Sequence, residues 1–318
     1  MADAMTTTGT SGWDSTAFDQ YAYYALRPEI YFDMVADVQP TNQSHAGSAV
    51  TFTQVSDLAV ASTALNESID IDAVAMADSP VTVTLVEYGN AVNTTAKLRG
   101  TSYIDVMRTA ANVVGFNAGI SVDTVARDVL KAGTNVRYAG PGTATSRLTV
   151  SPGDTLAGNN VRRAVAELRG ANVAPAKNGL YVGWMHPDVS YDFRGATGGA
   201  NWRDPHTYSS PEAIWNGEIG SFEGVAWVET PRAPLFADSG SSTTLTDVYR
   251  TMIAGRQALA KAYSYVDGNG PYPKVVPGPV VDKLRRFLPM GWYWLGGYGI
   301  FRQAALRAIE SSSSIGTN

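Results

Sequence analysis

A mixed α+β fold is predicted by three features of this 318-residue chain. One long stretch, Ser102 to Lys131, repeats apolar residues at helical spacing. Short β-branched alternations lie on both sides of it. They show neither the strand–helix alternation of a parallel α/β sheet nor the even spacing of a sandwich. No internal repeat is present.

Residues 1–16 are rich in Thr, Ser, Gly and Ala and read as a flexible arm with Trp13 as an anchor. An aromatic segment follows, Ala17 to Val35, including Phe18, with Pro28 placed to start a short helix. Residues 46–96 read as an extended excursion. Ala49 to Val55 and Val81 to Tyr88 alternate like strands, and the polar stretch 56–80 between them carries spaced aliphatics. Two strands with a long tip make a flap. Such a flap is marginal in water by itself and needs a neighbour to lie on.

In the long helix, Ser102 with Asp105 resembles a capping box, and Gly133 stands where a C-cap belongs. Gly115 and Gly119 weaken its middle. Residues 134–154 read as loop, and Ala157 to Arg169 as an amphipathic helix. Gly179 to Met185, Gly224 to Glu229 and Val248 to Ala254 read as strands, with a short helix at Pro211 to Trp215. Gln257 to Tyr263 reads as a further helix and Asp267 to Pro279 as loop. Gly291 to Leu306 is aromatic, then helical or extended, and precedes a polar Ser-rich tail.

Composition excludes several classes. Hydrophobic content of 44% rules out disorder, while only 17% charge suggests surface buried against something else. With no cysteine, thiol nucleophiles, disulfides and zinc-thiolate sites are out. Net charge is −5, so the surface as a whole does not court nucleic acid. No signal-peptide pattern and no run of ~20 apolar residues occurs, so a chain made in the cytoplasm without membrane contact is expected.

Motifs for chemistry are thin. G-x-S-x-G, G-x-G-x-x-G and a phosphate-loop Gly-Lys are absent. His186-Pro187-Asp188 and Asp204-Pro205-His206 could ligate a metal or pair a base with its orienting acid. The plainer reading is that His186 follows a buried strand and Asp188 opens a helix. Asp70-Ile71-Asp72 with Glu67 lacks the EF-hand spacing and reads as a solvated acidic loop. Gly296-Gly297-Tyr298-Gly299 reads as strand bending or close packing. Trp292, Tyr293, Trp294 and Tyr298 read as core. No catalytic, cofactor or metal residue is assigned, and no enzyme activity is expected.

The order of parts resembles the major capsid proteins of tailed bacteriophages, the Hong Kong-phage-type shell fold. Locally the chain is similar to the coat protein family of the N-four-like phages. The matching residues are Asp57-Leu58 and Leu65-Asn66-Glu67, Tyr88 to Val92, Gly220 to Thr230, and Tyr298-Gly299. Asn66 and Ser68 depart from the Thr and Gly that the family places around the glutamate.

The resemblance covers nearly the whole chain. It implies an N-arm (1–45), an E-loop (46–96), a P-domain with a spine helix (97–150), an A-domain with a central mixed sheet (151–267) and a return to the P-domain (268–318). It implies a virion protein without cofactors, assembled in a bacterial host as hexamers and pentamers of an icosahedral head. The other partners it implies are a separate scaffolding protein, a portal protein, a cement or decoration protein, and packaged double-stranded DNA held without sequence-specific contact. An encapsulin-like nanocompartment shell is the alternative.

Assembly contacts are expected from Asp57, Leu58, Leu65, Glu67, Asp70 and Asp72 of the flap and from Trp13 and Phe18 of the arm. No Lys or Arg occurs between Arg27 and Lys97, so the acidic flap has no counterions of its own. Arg162, Arg163, Arg285 and Arg286 are the expected acceptors on a neighbour. Before Arg27 there is likewise no cation, so the arm is not expected to condense DNA.

Overall fold

The computed structural model describes residues 31–41, 48–62, 64–65, 67–68, 70–102, 105–140, 144–195, 218–241, 245–264, 270–279, 282–284 and 286–315. Its first strands are β1 (Ala36–Thr41), β2 (Ala49–Val55), β3 (Asp78–Thr84), β4 (Val86–Thr95), β5 (Val136–Tyr138), β6 (Tyr181–Met185) and β7 (Glu218–Phe222). They are followed by β8 (Val225–Glu229), β9 (Leu235–Phe236), β10 (Val248–Ala254), β11 (Leu259–Ser264), β12 (Lys274–Pro277), β13 (Phe287–Ile300) and β14 (Leu306–Ser311). The helices are α1 (Ala96–Thr101), α2 (Val106–Lys131), α3 (Gly158–Gly170) and α4 (Pro187–Gly195). The described chain forms two compact units. One comprises 89–118 and 275–292, the other 31–88, 119–274 and 293–315.

The larger unit is built on a mixed sheet ordered β5-β14-β10-β6-β8-β7, with β9 added beside β10. Strand β6 lies parallel to β8 and antiparallel to β10. Every residue of β6 and β10 is buried; β6 is an uninterrupted apolar run, and β10 is broken only by Arg250 and Thr251. Trp184 and Trp227 are its largest fully buried side chains, and Phe193 of α4 packs on Trp227 with ring centroids 5.8 Å apart. On α3, Val161, Ala164, Val165 and Leu168 recur at helical spacing and form its buried stripe.

Two expectations are corrected in this unit. Gln257–Tyr263 is not a helix. Its residues from Leu259 on belong to β11, buried at all six positions between β1 (parallel) and β13 (antiparallel). Leu, Ala and Lys favour helix weakly, but a strand with a partner on both sides satisfies its whole backbone and buries both faces. The end of the described chain is buried too. β14 sits between β10 and β5, with Ser311, Ser312 and Ser313 fully buried. Its Glu310 carboxylate is held 2.6 Å from Arg147 and 3.1 Å from Arg250. Within 134–154, taken for loop, Val136–Tyr138 pairs with β14.

A tight turn at Phe32–Val35 fastens the start of the described chain to this unit. The Phe32 N–H donates to Asp123 (2.7 Å), and the Trp184 indole donates to the Tyr31 carbonyl (3.3 Å). Asp33 meets the buried Lys261 ammonium at 2.8 Å and accepts the Tyr298 hydroxyl at 2.7 Å. Asp123 also pairs with Arg232, yet burial is the larger influence and holds its carboxyl above the ordinary carboxylate value.

The smaller unit holds α1, the first half of α2, the outer half of β4 and the hairpin of β12 with the start of β13. Gly278 N–H donates to the Pro289 carbonyl (3.0 Å), and the Thr94 hydroxyl donates to the Leu288 carbonyl (2.9 Å). Helix α2 starts later than Ser102. Asp105 is its N-cap, accepting the N–H groups of Met107 and Arg108 at 3.1 Å each. Its buried positions recur every fourth residue, from Ala110 and Val114 to Ala126 and Leu130. The helices expected at Pro28 and at Pro211–Trp215 lie outside the described residues.

Candidate assembly surface

The flap is a real hairpin. β2 and β3 pair antiparallel from Ala49 opposite Thr84 to Val55 opposite Asp78, and Ser56 N–H extends the ladder to the Ala77 carbonyl. Period-two alternation splits its two faces. Phe52 and Val83 point inward and are buried against Ala260 and Ala262 of β11, with Phe301 5.8 Å from the Phe52 ring. Thr51 and Thr82 face outward, their hydroxyls 3.4 Å apart. Gly297 and Gly299 permit the close approach, since a Cβ on the first would lie 2.1 Å from the Thr84 carbonyl oxygen. So the flap base rests on its own chain, which the strand pattern had assigned wholly to a neighbour.

The tip is another matter. Between Ser56 and Ala77 the described residues have no regular structure, and all are exposed. Among them, Leu58, Val60, Leu65, Ile71, Val74 and Met76 stand in solvent, Val60 to 89% and Leu65 to 76%. Asp57, Glu67, Asp70 and Asp72 lie in the same stretch. Sequence reasoning singled out the acids with Leu58 and Leu65, and missed Val60, Ile71, Val74 and Met76. Their spacing in an irregular segment gave no periodicity by which to place them. Asn66, Trp13 and Phe18 lie outside the described residues.

The smaller unit carries an apolar groove of about 340 Å³, lined by Val92, Leu98, Val106, Ala110 and Val113 with Asn93, Thr94, Ser102 and Thr109. The turn that opens it is fixed by capping. Thr95 accepts the Leu98 N–H at 3.2 Å to start α1, and Arg99 donates to the Thr94 carbonyl at 2.8 Å. Lys97 and Arg108 are exposed on the same helices and, among the described residues, make no ion pair. No motif signalled this groove, because its lining comes from a strand end, a short helix and a long one.

Of the expected acceptors, Arg286 lies in this smaller unit and pairs with Asp282 at 2.8 Å. Arg162 and Arg163 lie on α3 of the larger unit and pair with Glu223 (2.8 Å) and Glu167 (3.6 Å). All three are more than half exposed, and Arg285 lies outside the described residues.

The histidine motif is a local structural cluster. His186 Nδ1 lies 3.2 Å from Asp188, which also accepts the Tyr249 hydroxyl at 2.7 Å. Burial lowers the His186 pKa against the opposing pull of Asp188 and Glu229, and burial with the Asp188 hydrogen bond raises that of Tyr249. His206 and Asp204 lie outside the described residues. Among the described residues no group of three or more His, Asp or Glu side chains could hold a metal ion. Asp70 and Asp72 stand on the exposed tip, and Trp292, Trp294 and Tyr298 are buried.

A family model described as phage capsid protein matches residues 31–314. No curated protein matches the sequence. Many solved structures share the fold, three of them as follows. The capsid of Ralstonia phage GP4 superposes with a TM-score of 0.78 at 15% identity, over 96% of this chain and 97% of that one. The capsid asymmetric unit of Cyanophage Pam1 gives 0.75 at 14% identity, covering 99% and 100%. The capsid of Cyanophage P-SCSP1u gives 0.68 at 14% identity, covering 97% and 96%.

Proposed function

The chain belongs to the phage capsid protein family, and on that premise we propose that it builds a phage head by seating the flap tip of one copy in the apolar groove of another. As the major capsid protein of such a head it is a virion component, and its family and fold are structural, which fits a non-enzyme. The family match also favours a phage head over an encapsulin-like compartment.

One observation carries the seating. The described tip combines exposed aliphatics with acids and no base, and the groove is lined by exposed aliphatics on helices that also carry the exposed cations Lys97 and Arg108. An apolar side chain moved from water into such a groove contributes about 1.5–3 kcal/mol when fully buried. Exposed charge pairs add only ~0–1 kcal/mol each. The aliphatics therefore supply most of the affinity, and the charges select register and partner. Each copy offers one tip and one groove, so the contact is head-to-tail and closes into rings, as hexamers and pentamers require.

The finer organisation follows the same reading. The arm, with Trp13 and Phe18, adds contacts between copies. A separate scaffolding protein, a portal protein, a cement protein and packaged double-stranded DNA complete the partners, and assembly takes place in the host cytoplasm. The five segments from N-arm to the returning P-domain supply the working parts.

The groove is tested with Val113→Glu, which places a charge on an exposed wall of the lining. Sedimentation with scaffolding protein present should show unassembled subunits with an unchanged melting temperature. Shells forming at the wild-type concentration would remove the groove from the contact.

A further inference from the structure

The strand registers bring a second charged surface together in the larger unit. Tyr181 lies opposite Val225, Val182 opposite Ala254, Ala254 opposite Leu306, and Ala308 opposite Val136. The segments that enter and leave these positions therefore gather at one end of the central sheet. They carry almost only cations. Arg137, Arg163 and Arg307 all converge on the single carboxylate of Glu167, Arg307 at 3.3 Å. Arg162 pairs with Glu223, and the Arg169 guanidinium lies over the adjoining Gly224. Arg302 donates to the Ala171 carbonyl at 2.9 Å, while Lys177 and Arg256 are exposed beside it.

Eight cations thus face two carboxylates among the described residues of a chain whose net charge is −5. At the opposite end, Asp188, Asp192, Asp238 and Asp247 gather around Tyr249 and the start of β10, and the cations there, Arg147, Arg194 and Arg250, are paired with Glu310 and Glu229. Among the described residues no exposed large aliphatic stands among the arginines. That separates this surface from the groove of the smaller unit, which matches the aliphatic flap tip.

We propose that the arginine end of the central sheet binds the phosphate backbone of double-stranded DNA without reading its sequence. This rests on the chain being a capsid protein, whose shell encloses a genome. Guanidinium groups match phosphate oxygens two at a time, and they are less strongly hydrated than ammonium groups. Arg302 and Arg307 are committed to the protein and Arg137 donates to both oxygens of Glu167, which leaves Arg162, Arg163, Arg169 and Arg256 as the exposed guanidinium contacts, with the exposed Lys177 beside them. Arg162 and Arg163 then serve DNA and not the flap of a neighbour. The arm before Arg27 carries no cation and does not compete for the role.

The experiment measures binding of unassembled full-length protein to a short mixed-sequence duplex across a salt series. Neutralising about four phosphates gives a roughly 150-fold loss of affinity from about 50 to about 200 mM salt. Arg162→Gln/Arg163→Gln should lower the slope of log affinity against log salt by about two. Arg169→Gln/Arg256→Gln should do the same, guarding against a fold defect in either variant. Lys97→Gln/Arg108→Gln, at the groove, should weaken assembly in sedimentation and leave the slope alone. Wild-type protein that shows no salt-dependent binding, or Arg variants with the wild-type slope, would overturn the proposal. Arg variants that lose assembly while keeping the slope would also overturn it and place Arg162 and Arg163 at the flap. Wild-type assembly, read separately, reports on the capsid reading itself.

Discussion

Replacing two aliphatics of the flap tip should break the shell and spare the subunit. In Leu65→Ser/Ile71→Ser both side chains start out mostly in solvent, 76% and 67% exposed. Inside the free subunit they touch little, so each change shifts its stability by no more than about 0.5 kcal/mol. In the proposed tip–groove contact the same residues lose water. Full burial of a Leu or Ile contributes about 1.5–3 kcal/mol, and about two thirds of that is still unclaimed in the free subunit. The pair therefore removes roughly 3 kcal/mol from each tip–groove contact, or about a 100-fold weaker contact. If every subunit gives and receives one such contact, as proposed, the loss multiplies around a ring. Sedimentation velocity with scaffolding protein reads the assembly, and a thermal melt of the unassembled subunit reads the fold. Shells at wild-type concentration with an unchanged melt would refute the reasoning. A large drop in the subunit melt would refute its premise that the tip is free.

Three further outcomes follow. Asp33→Asn leaves the Lys261 ammonium buried without its partner and should cost about 3–5 kcal/mol in denaturant unfolding, which Asp33→Asn/Lys261→Met should partly recover; an unchanged midpoint for the single variant would contradict this. His186 has its pKa lowered in the fold from the ordinary 6.5, so the unfolded chain takes up its proton first and stability falls as pH drops below that value. In His186→Gln that part of the pH dependence should vanish, and an identical slope in both proteins would count against it. Finally, with no lysine between Arg27 and Lys97 the flap cannot form an isopeptide bond, so boiled particles should run as monomers on a denaturing gel, not as a ladder. In the same particles Glu67→Lys/Asp70→Lys should weaken assembly most at low salt, where charge selects the partner.

Elements whose pattern agrees with their surroundings were legible from the chain alone. β2 and β10 fall where β-branched and apolar runs stand, α3 follows its amphipathic stripe, and α2 announces itself by length. The acidity of the flap and its lack of lysine are matters of composition, and they hold in any conformation. The order arm, flap, long helix and mixed domain was enough for the family resemblance.

Other features depended on long-range pairing. Leu259–Ser264 carries residues that favour helix and becomes a strand because β1 and β13 flank it. Leu306–Ser311 becomes a central strand between β10 and β5, where Arg147 and Arg250 supply counter-charges for its buried Glu310. Lys261 finds Asp33 across 228 positions, and a local reading has no term for that encounter. The arginine end is assembled the same way, from strand ends and helix starts far apart in sequence, whereas the groove is folded from the single stretch Val92 to Val113. Local sequence therefore determined which segments are apolar, acidic or helical. Tertiary structure decided which of them meet, because burial and ion pairing act between residues that only the closed sheet brings within a few ångströms of each other.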